Sequence, residues 1–141
     1  MIKVLIADDH ALFRDGLKRI FNEVDDIEVV AEAVDGKDIL KKARDCEWDI
    51  ILLDINLPDI NGLDVLKRIF SMNATARILV LSMYPEDEYA IRAVRSGASG
   101  YLTKDSPTDL LIHVVRRIAK GGKYVNPELA EKLLFNPGLD T

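Results

Sequence analysis

The chain has 141 residues, enough for one domain with a well-packed core but too few for two large domains. Its hydrophobic content of 48% and charged content of 30% are ordinary for a globular protein, and the formal net charge of -5 argues against a chain that grips nucleic acid by itself. Because no apolar run is long enough for a membrane span or a signal peptide, we expect a cytoplasmic protein with no membrane contact.

Five apolar segments alternate with five segments whose apolar residues recur at helical spacing. The apolar segments, which predict strands, are 3–7, 27–33, 50–54, 77–81 and 99–103. The segment 50–54 is continuously apolar up to Asp54, as expected for a strand buried on both faces. Since each parallel crossover needs its own helix, the sequence predicts an α/β fold, a doubly wound five-stranded parallel sheet with helices on both faces.

Proline and capping residues mark several helix boundaries. Pro85 and the acids at 86–88 favour a helix start, and Ser106 is predicted as an N-cap with Pro107 at the first helical position. The pair 126–127, Asn-Pro, predicts the start of a last, short helix. The predicted helix ends are Gly97, 121–122 and 136–138.

Several other residues have a structural interpretation. We predict that Cys46 is a partly buried structural thiol and that Trp48 is a packing residue. A group of basic residues late in the chain predicts a solvated helix face; its members are Arg116, Arg117, Lys120 and Lys123.

Polar side chains stand at the carboxyl ends of four predicted strands. In strand order they are Asp8 and Asp9, then Asp54, Ser82 and Lys104. In the strand order 2-1-3-4-5, strands one and three flank the topological switch point, where ligands bind in open α/β sheets, so we expect the three aspartates to converge there. Taken alone, each residue is more often a cap, a turn residue or a surface charge. Their joint occurrence at one sheet edge predicts a functional site.

Carboxylates in such a cluster repel one another. Each pair costs about 1 kcal/mol at about 4 Å in water, and about 4 kcal/mol at an effective dielectric of about 20. The cluster therefore needs a counter-cation, and oxygen ligands with room for water suit Mg²⁺. His10 is the only nitrogen or sulfur ligand at these strand ends, and we expect it to cap or pack, so zinc or copper is not predicted.

Lys104 and Ser82 add a positive charge and a hydroxyl donor on the far side of Asp54. A carboxylate between a divalent cation and a lysine is suited to accepting a phosphoryl group. The two cations neutralise charge on the transferring oxygens while the carboxylate attacks in line. The sequence thus predicts that Asp54 is a nucleophile.

Over about residues 1 to 122, the sequence resembles the receiver domain of two-component response regulators. The residues that carry the resemblance are Asp8-Asp9, Asp54, Leu57-Pro58, Asn61-Gly62, Ser82, Tyr101 and Lys104. The resemblance implies a flavodoxin-like, CheY-like sheet in the order 2-1-3-4-5.

The resemblance also implies roles for the acids. Asp54 would be the phosphoacceptor. Asp9 would bind Mg²⁺ directly, Asp8 directly or through water, and the backbone carbonyl of Asn56 would complete the protein ligands beside Asp54.

On the phosphoryl side, the resemblance implies that Lys104 contacts the transferred group and that Ser82 bonds one of its oxygens. Tyr101 would then change rotamer, and the change would reach the surface formed by the fourth helix, fifth strand and fifth helix. Such a protein takes part in its own phosphotransfer and autodephosphorylation but is not a turnover enzyme.

Two features qualify the resemblance. Many receivers have a proline, often after a cis bond, where this chain has Asp105, which puts the local loop geometry in question. Asn56 and Tyr84 flank the site and are expected to tune attack by water.

The segments 97–105 and 121–130 are similar to the NarL/FixJ group, which usually continues into a helix-turn-helix DNA-binding domain. We therefore expect a receiver at 1–122 and, at 123–141, a linker with a short helix. The linker would lead to a C-terminal DNA-binding domain missing from these residues. The expected partners are a sensor histidine kinase, a second copy on phosphorylation, and DNA through the missing domain alone. A free-standing receiver is the alternative.

Two other classes of protein are disfavoured by the same residues. A phosphohydrolase of the haloacid-dehalogenase type also forms an aspartyl phosphate, but it usually has a second acid where this chain has Asn56, and no cap domain is visible. A pseudo-receiver, a pure interaction module, would not need the complete set of acids, Ser82 and Lys104.

Overall fold

A computed structural model of the chain describes residues 1–83 and 88–135, with the backbone alone at residue 88. Within these ranges, strands and helices alternate up to the last two helices. The strands are β1 (Ile2–Ala7), β2 (Ile27–Ala33), β3 (Ile50–Asp54), β4 (Ile78–Ser82) and β5 (Gly100–Thr103). The helices are α1 (Ala11–Asn22), α2 (Gly36–Asp45), α3 (Gly62–Met72), α4 (Glu88–Arg95), α5 (Thr108–Ala119) and α6 (Pro127–Phe135).

The five strands form one parallel sheet in the order β2-β1-β3-β4-β5, which confirms the predicted fold. The central strand β3 is buried throughout and divides the core in two. Ile51 and Leu53 pack in the cluster that includes α2, α3 and α4, whereas Ile50 and Leu52 pack in the cluster that includes α1 and α5. This two-sided burial explains the unbroken apolar run before Asp54.

Side-chain caps and glycines set several helix boundaries. Asn126 caps α6 as predicted, since its Oδ1 accepts a hydrogen bond of 2.8 Å from the backbone N–H of Leu129. Gly97 ends α4 with φ of 113°, a conformation that favours glycine, and its N–H donates to the carbonyl of Val94. The predicted end of α4 is therefore confirmed.

Ser106 is not the N-cap of α5, so that prediction is wrong. The cap position belongs to Pro107, whose extended backbone (ψ 145°) precedes the first helical residue, Thr108. The Ser106 hydroxyl instead lies 3.2 Å from the hydroxyl of Thr103 and forms a hydrogen bond with it in the loop after β5. The start signal at 85–87, Tyr84 and the end signal at 136–138 lie outside the described residues.

Cys46 is exposed, which corrects the prediction of partial burial. It occupies the C-cap position of α2, where the chain has left the helix and has not yet entered the sheet. Trp48 does pack against the core, and its indole N–H donates to the carbonyl of Ala43 at 2.8 Å. The packing prediction for Trp48 is confirmed.

Arg116 also departs from expectation, because it does not simply face solvent. Its guanidinium makes two hydrogen bonds of 2.9 Å to the carboxylate of Asp26 and so joins α5 to the loop before β2. Arg117 donates to the backbone carbonyl of Lys123. Lys120 and Lys123 are exposed, as the solvated face predicts.

The segment after α5 packs on the rest of the fold. The backbone N–H of Tyr124 donates to the carbonyl of Ser99 at 2.9 Å, next to an isolated bridge to Gly100 on β5. Leu129 of α6 is fully buried, and Arg95 of α4 donates to the carbonyl of Leu133 at 2.8 Å. The predicted short helix is therefore present and lies against α4. Among the described helices, none has the length and apolar character of a membrane span.

Candidate functional site

Asp54 is the last residue of β3 and its side chain is buried. Its Oδ1 accepts a hydrogen bond of 3.0 Å from the backbone N–H of Asn56, which fixes the carboxylate against the loop that follows. Gly62 closes that loop by donating its N–H to the carbonyl of Ile55. A Cβ at position 62 would lie 2.5 Å from the same carbonyl oxygen, so the close approach requires glycine.

Lys104 reaches the site from the loop after β5, with its side chain only 7% exposed. The Nζ atom lies 3.2 Å from Asp54 Oδ2 and 2.7 Å from Asp8 Oδ2. Its backbone N–H donates to the carbonyl of Ser82 at 2.7 Å, which ties the loop to the end of β4. The Lys104–Asp105 peptide bond is trans, which answers the question raised by the missing proline.

Asp8 is buried directly after β1, and its two carboxylate oxygens have different surroundings. Oδ1 accepts a hydrogen bond of 2.7 Å from the backbone N–H of His10 and lies 3.0 Å from the His10 ring nitrogen Nδ1. Oδ2 is close to Lys104 Nζ, but the two groups are not aligned as a hydrogen bond, so the contact is an ion pair and Oδ2 has no hydrogen-bond partner among the described residues.

Asp9 and His10 form the open side of the cluster. The Asp9 carboxylate is partly exposed and lies 3.1 Å from the Nδ1 atom of His10. His10 occupies the N-cap position of α1, as expected, but its side chain makes no capping bond. Its ring instead stands beside the carboxylates of Asp8 and Asp9, a contact that sequence reasoning missed.

A partly buried chain of ion pairs contacts the backbone of Asp8. Arg14 of α1 donates to the backbone carbonyl of Asp8 at 2.7 Å and to Glu32 at the end of β2 at 3.0 Å. Glu32 also pairs with Lys18 at 3.0 Å. Burial raises the pKa of Glu32, but its pairs with Lys18 and Arg14 outweigh burial and hold it below its ordinary value. The charged Glu32 carboxylate therefore holds the Arg14 side chain in place, and Arg14 in turn holds the backbone of Asp8.

Burial is the main influence on Asp54 and raises its pKa above the ordinary value. The Asn56 N–H and the Lys104 charge lower the pKa, and the neighbouring Asp8 carboxylate raises it. The net shift is upward, because burial and Asp8 together outweigh the Asn56 hydrogen bond and the Lys104 charge.

Ligand atoms of Asp8, Asp9, His10 and Asp54 all lie within 4.8 Å of one another. Among the described residues of the cluster, the three carboxylates and the Lys104 ammonium sum to two formal negative charges, which a divalent cation would balance. Asp8 Oδ2, which is buried and has no hydrogen-bond partner in the described part of the chain, offers an oxygen donor to such a cation. Because carboxylate oxygens dominate this set, the residues fit a hard ion such as Mg²⁺.

The two predicted switch residues lie on β4 and β5, the strands that follow β3 in the sheet order. Ser82 is buried at the end of β4, one position past Leu81, which pairs with Asp54 across the sheet. Tyr101 is buried on β5, opposite Val80 of β4. The backbone N–H of Asn56 faces Asp54, and the role of its carbonyl as a metal ligand stays a prediction.

This sheet order, with acids and a lysine at its carboxyl edge, defines the CheY-like receiver fold. The family profile of the response regulator receiver domain matches residues 4–116. Among curated proteins, the transcriptional regulatory protein DegU of Brevibacillus brevis is 37% identical over 133 residues, which cover 94% of this chain and 56% of DegU. The oxygen regulatory protein NreC of Staphylococcus carnosus is 36% identical over 134 residues, covering 94% of this chain and 62% of NreC.

A solved structure gives the same result. The LuxR-family two-component response regulator from Aurantimonas sp. SI85-9A1 superposes with a TM-score of 0.86 at 30% identity, covering 94% of each chain. The chain therefore belongs to the response regulator receiver domain family and is a receiver of the NarL/LuxR type. It spans 56% and 62% of the length of the two curated relatives.

Proposed function

We propose that this receiver accepts a phosphoryl group on Asp54 from a sensor histidine kinase, with Mg²⁺ as cofactor, and so acts as a phosphorylation-activated switch. The observation that carries the proposal is the position of Asp54 Oδ2, buried and 3.2 Å from Lys104 Nζ, beside Asp8. A nucleophilic carboxylate, a fixed ammonium and uncompensated acids are the groups that phosphoryl transfer needs at one place.

Each residue of the site has a role in the proposed transfer. An Asp54 carboxylate oxygen attacks phosphorus, the P–N bond of the kinase phosphohistidine breaks, and the imidazole leaves with the bonding electron pair. Lys104 neutralises charge on the phosphoryl oxygens and orients them. Asp8, Asp9, Asp54 and the Asn56 carbonyl would hold Mg²⁺, which when bound supplies charge neutralisation at the same oxygens.

The signal leaves the site through Ser82 and Tyr101 in this proposal. Ser82 donates its hydroxyl to a phosphoryl oxygen, and Tyr101 changes rotamer with it. The α4–β5–α5 surface then changes, and α6 moves with it because Leu129 and the Leu133 carbonyl contact the α4 side of the core. Phosphate loss by autodephosphorylation resets the switch.

The proposed control of transcription is based on the relatives of the chain and not on the geometry of the site. DegU is a transcriptional regulatory protein, and the chain aligns with 56% of it. We infer that the receiver controls transcription through a C-terminal DNA-binding domain joined by the 123–141 linker, that the phosphorylated form dimerises, and that the protein works in the cytoplasm.

Phosphorylation in vitro tests the proposal. The chain is incubated with Mg²⁺ and acetyl phosphate, and its intact mass is measured. We expect one phosphoryl adduct per chain, absent without Mg²⁺ and absent in Asp54→Asn. The matched control is Asp105→Asn, which removes an exposed carboxylate next to Lys104 and should leave the adduct intact.

The same experiment separates the alternatives. A chain that stays unmodified at every Mg²⁺ concentration would identify an interaction module and overturn the proposal. Repeated turnover of varied phosphate esters would identify a phosphohydrolase and overturn it as well.

A further inference from the structure

The aromatic ring of Phe13 faces the ammonium of Lys104. Phe13 lies in the first turn of α1, three residues after His10, and the ring centroid is 4.7 Å from Lys104 Nζ. This distance is inside the range of about 6 Å in which the negative face of an aromatic ring attracts a cation. Phe13 is itself half-buried and packed against the core cluster that includes α1 and α5.

The contact matters because Lys104 has lost almost all of its water. An ammonium is a strongly hydrated point charge at the end of a flexible four-carbon chain, and 7% side-chain exposure leaves few positions for solvent. The carboxylates of Asp8 and Asp54 lie within ion-pair distance of Nζ. The Phe13 ring provides a further favourable contact that does not add charge to the site.

The ring also limits where the ammonium can go. Phe13 belongs to α1, which begins at the open side of the cluster next to Asp9 and His10, and its ring lies against the ammonium. With the ring in place, Nζ stays between Asp8 and Asp54, where the phosphoryl oxygens of the proposed reaction would arrive.

We propose that Phe13 is a positioning residue for Lys104, acting through a cation–π contact that holds the ammonium beside Asp54. The inference rests on the proposed function, since Lys104 must act on a phosphoryl group for its position to affect rate. Phe13 itself touches neither Asp54 nor the transferred group in this proposal.

A fluorinated phenylalanine series at position 13 is the sharpest test, because fluorine weakens the negative ring face with little change in shape. The full chain carrying one, two or three ring fluorines is phosphorylated with acetyl phosphate at saturating Mg²⁺. We expect the rate constant to fall stepwise, by roughly threefold to tenfold over the series. In the Lys104→Ala background the residual rate should not respond to fluorination.

The matched control is the same series at Phe21, which lies eight residues further along α1 in the same core cluster and has no cation facing it among the described residues. Its rates should stay flat. Flat rates at position 13, or an equal decline at both positions or in the Lys104→Ala background, would overturn the inference.

A second measurement reports the contact without phosphorylation. The Lys104 Hε protons should show an upfield ring-current shift in the NMR spectrum, lost in Phe13→Leu and retained in Phe21→Leu. Unshifted protons in the native chain would overturn the inference even if Asp54 accepts phosphate. If the Lys104 Hε protons show the expected upfield shift but Asp54 forms no phosphoryl adduct, the proposed function is overturned, and the predicted effect of Phe13 on the phosphorylation rate falls with it.

Discussion

Lys104 Nζ lies nearer to Asp8 Oδ2, at 2.7 Å, than to Asp54 Oδ2, at 3.2 Å. The lysine therefore links the acid expected to bind metal with the acid expected to accept phosphate. The positive charge of Lys104 interacts with two buried carboxylates, so a substitution of Lys104 changes the electrostatic environment of both Asp8 and Asp54.

Lys104→Met keeps the length of the side chain and removes its charge. The pKa of Asp54 should rise further, because Lys104 acts to lower it, and phosphorylation by acetyl phosphate should slow by about 100-fold through loss of a fixed cation. The measurement is the rate of adduct formation by mass spectrometry. Lys67→Met on the exposed face of α3 is the control, and a Lys104→Met rate equal to that control would contradict the prediction.

Mg²⁺ should stabilise the folded chain. A ligand present at about 100 times its dissociation constant adds about 2.7 kcal/mol to the free energy of unfolding, so the Tm should rise with Mg²⁺. Asp9→Asn should lose most of this rise, because Asp9 lies on the open side of the cluster and its carboxylate is expected to bind the ion directly. Asp25→Asn, an exposed acid before β2, should retain it. Equal Tm shifts in both variants would count against a site at Asp9.

The pair between Asp26 and Arg116 predicts a pH dependence of stability. The hydrogen bonds from Arg116 hold the pKa of Asp26 below its ordinary value of about 3.9. The stabilisation is therefore fully present above about pH 4 and is lost as pH falls through the lowered pKa of the folded state. Urea unfolding should show Arg116→Gln less stable than the native chain at neutral pH, with the difference vanishing in strong acid.

Arg117→Gln is the control for that measurement, because Arg117 donates to the Lys123 carbonyl and not to a carboxylate. The difference in unfolding free energy between Arg117→Gln and the native chain should persist when Asp26 is protonated. A stability difference for Arg116→Gln that stayed constant down to strong acid would show that the pair is not responsible.

Leu129→Ala tests whether α6 belongs to the folded receiver. The side chain is fully buried in the core cluster, so its truncation leaves a cavity and should lower the free energy of unfolding by about 3 kcal/mol. Leu134→Ala, on the same helix but 76% exposed, should change it by less than about 0.5 kcal/mol. Similar small effects for both variants would mean that α6 is not part of the cooperative unit.

A phosphorylation mimic should change the association state. With Mg²⁺ and beryllofluoride, the mass in solution should rise from monomer to dimer, and Asp54→Asn should remain a monomer because it lacks the carboxylate that coordinates beryllium. An unchanged monomer of the native chain would refute phosphorylation-linked dimerisation of this receiver.

The grouping of polar side chains at one sheet edge was predictable because it follows from the direction of the parallel strands. Parallel strands align their carboxyl ends, so an acid that ends a buried apolar run, such as Asp54, must stand at that edge of the sheet. The same rule brought Lys104 and Asp8 to the site. Polar residues at strand ends therefore carried most of the functional information in the sequence.

Contacts between elements distant in sequence could not be predicted in the same way. Arg14 and Phe13 look like ordinary helix residues, and only the packing of α1 against the sheet edge places them beside Asp8 and Lys104. Ser106 failed as a cap for a different reason, since its hydroxyl pairs with that of Thr103, a local contact in the loop after β5 that competes with capping. The packing of α6 against α4 was not predicted, because an amphipathic pattern shows that a helix has an apolar face but not which surface that face contacts.

The burial of Leu129 restricts where this receiver can be joined to a related one in a chimera. A chimera joined at residue 122 would take its α6 from one parent and the α4 against which it packs from the other, so residues of different parents would meet in the hydrophobic core. A junction after residue 135 keeps both packing partners from the same parent.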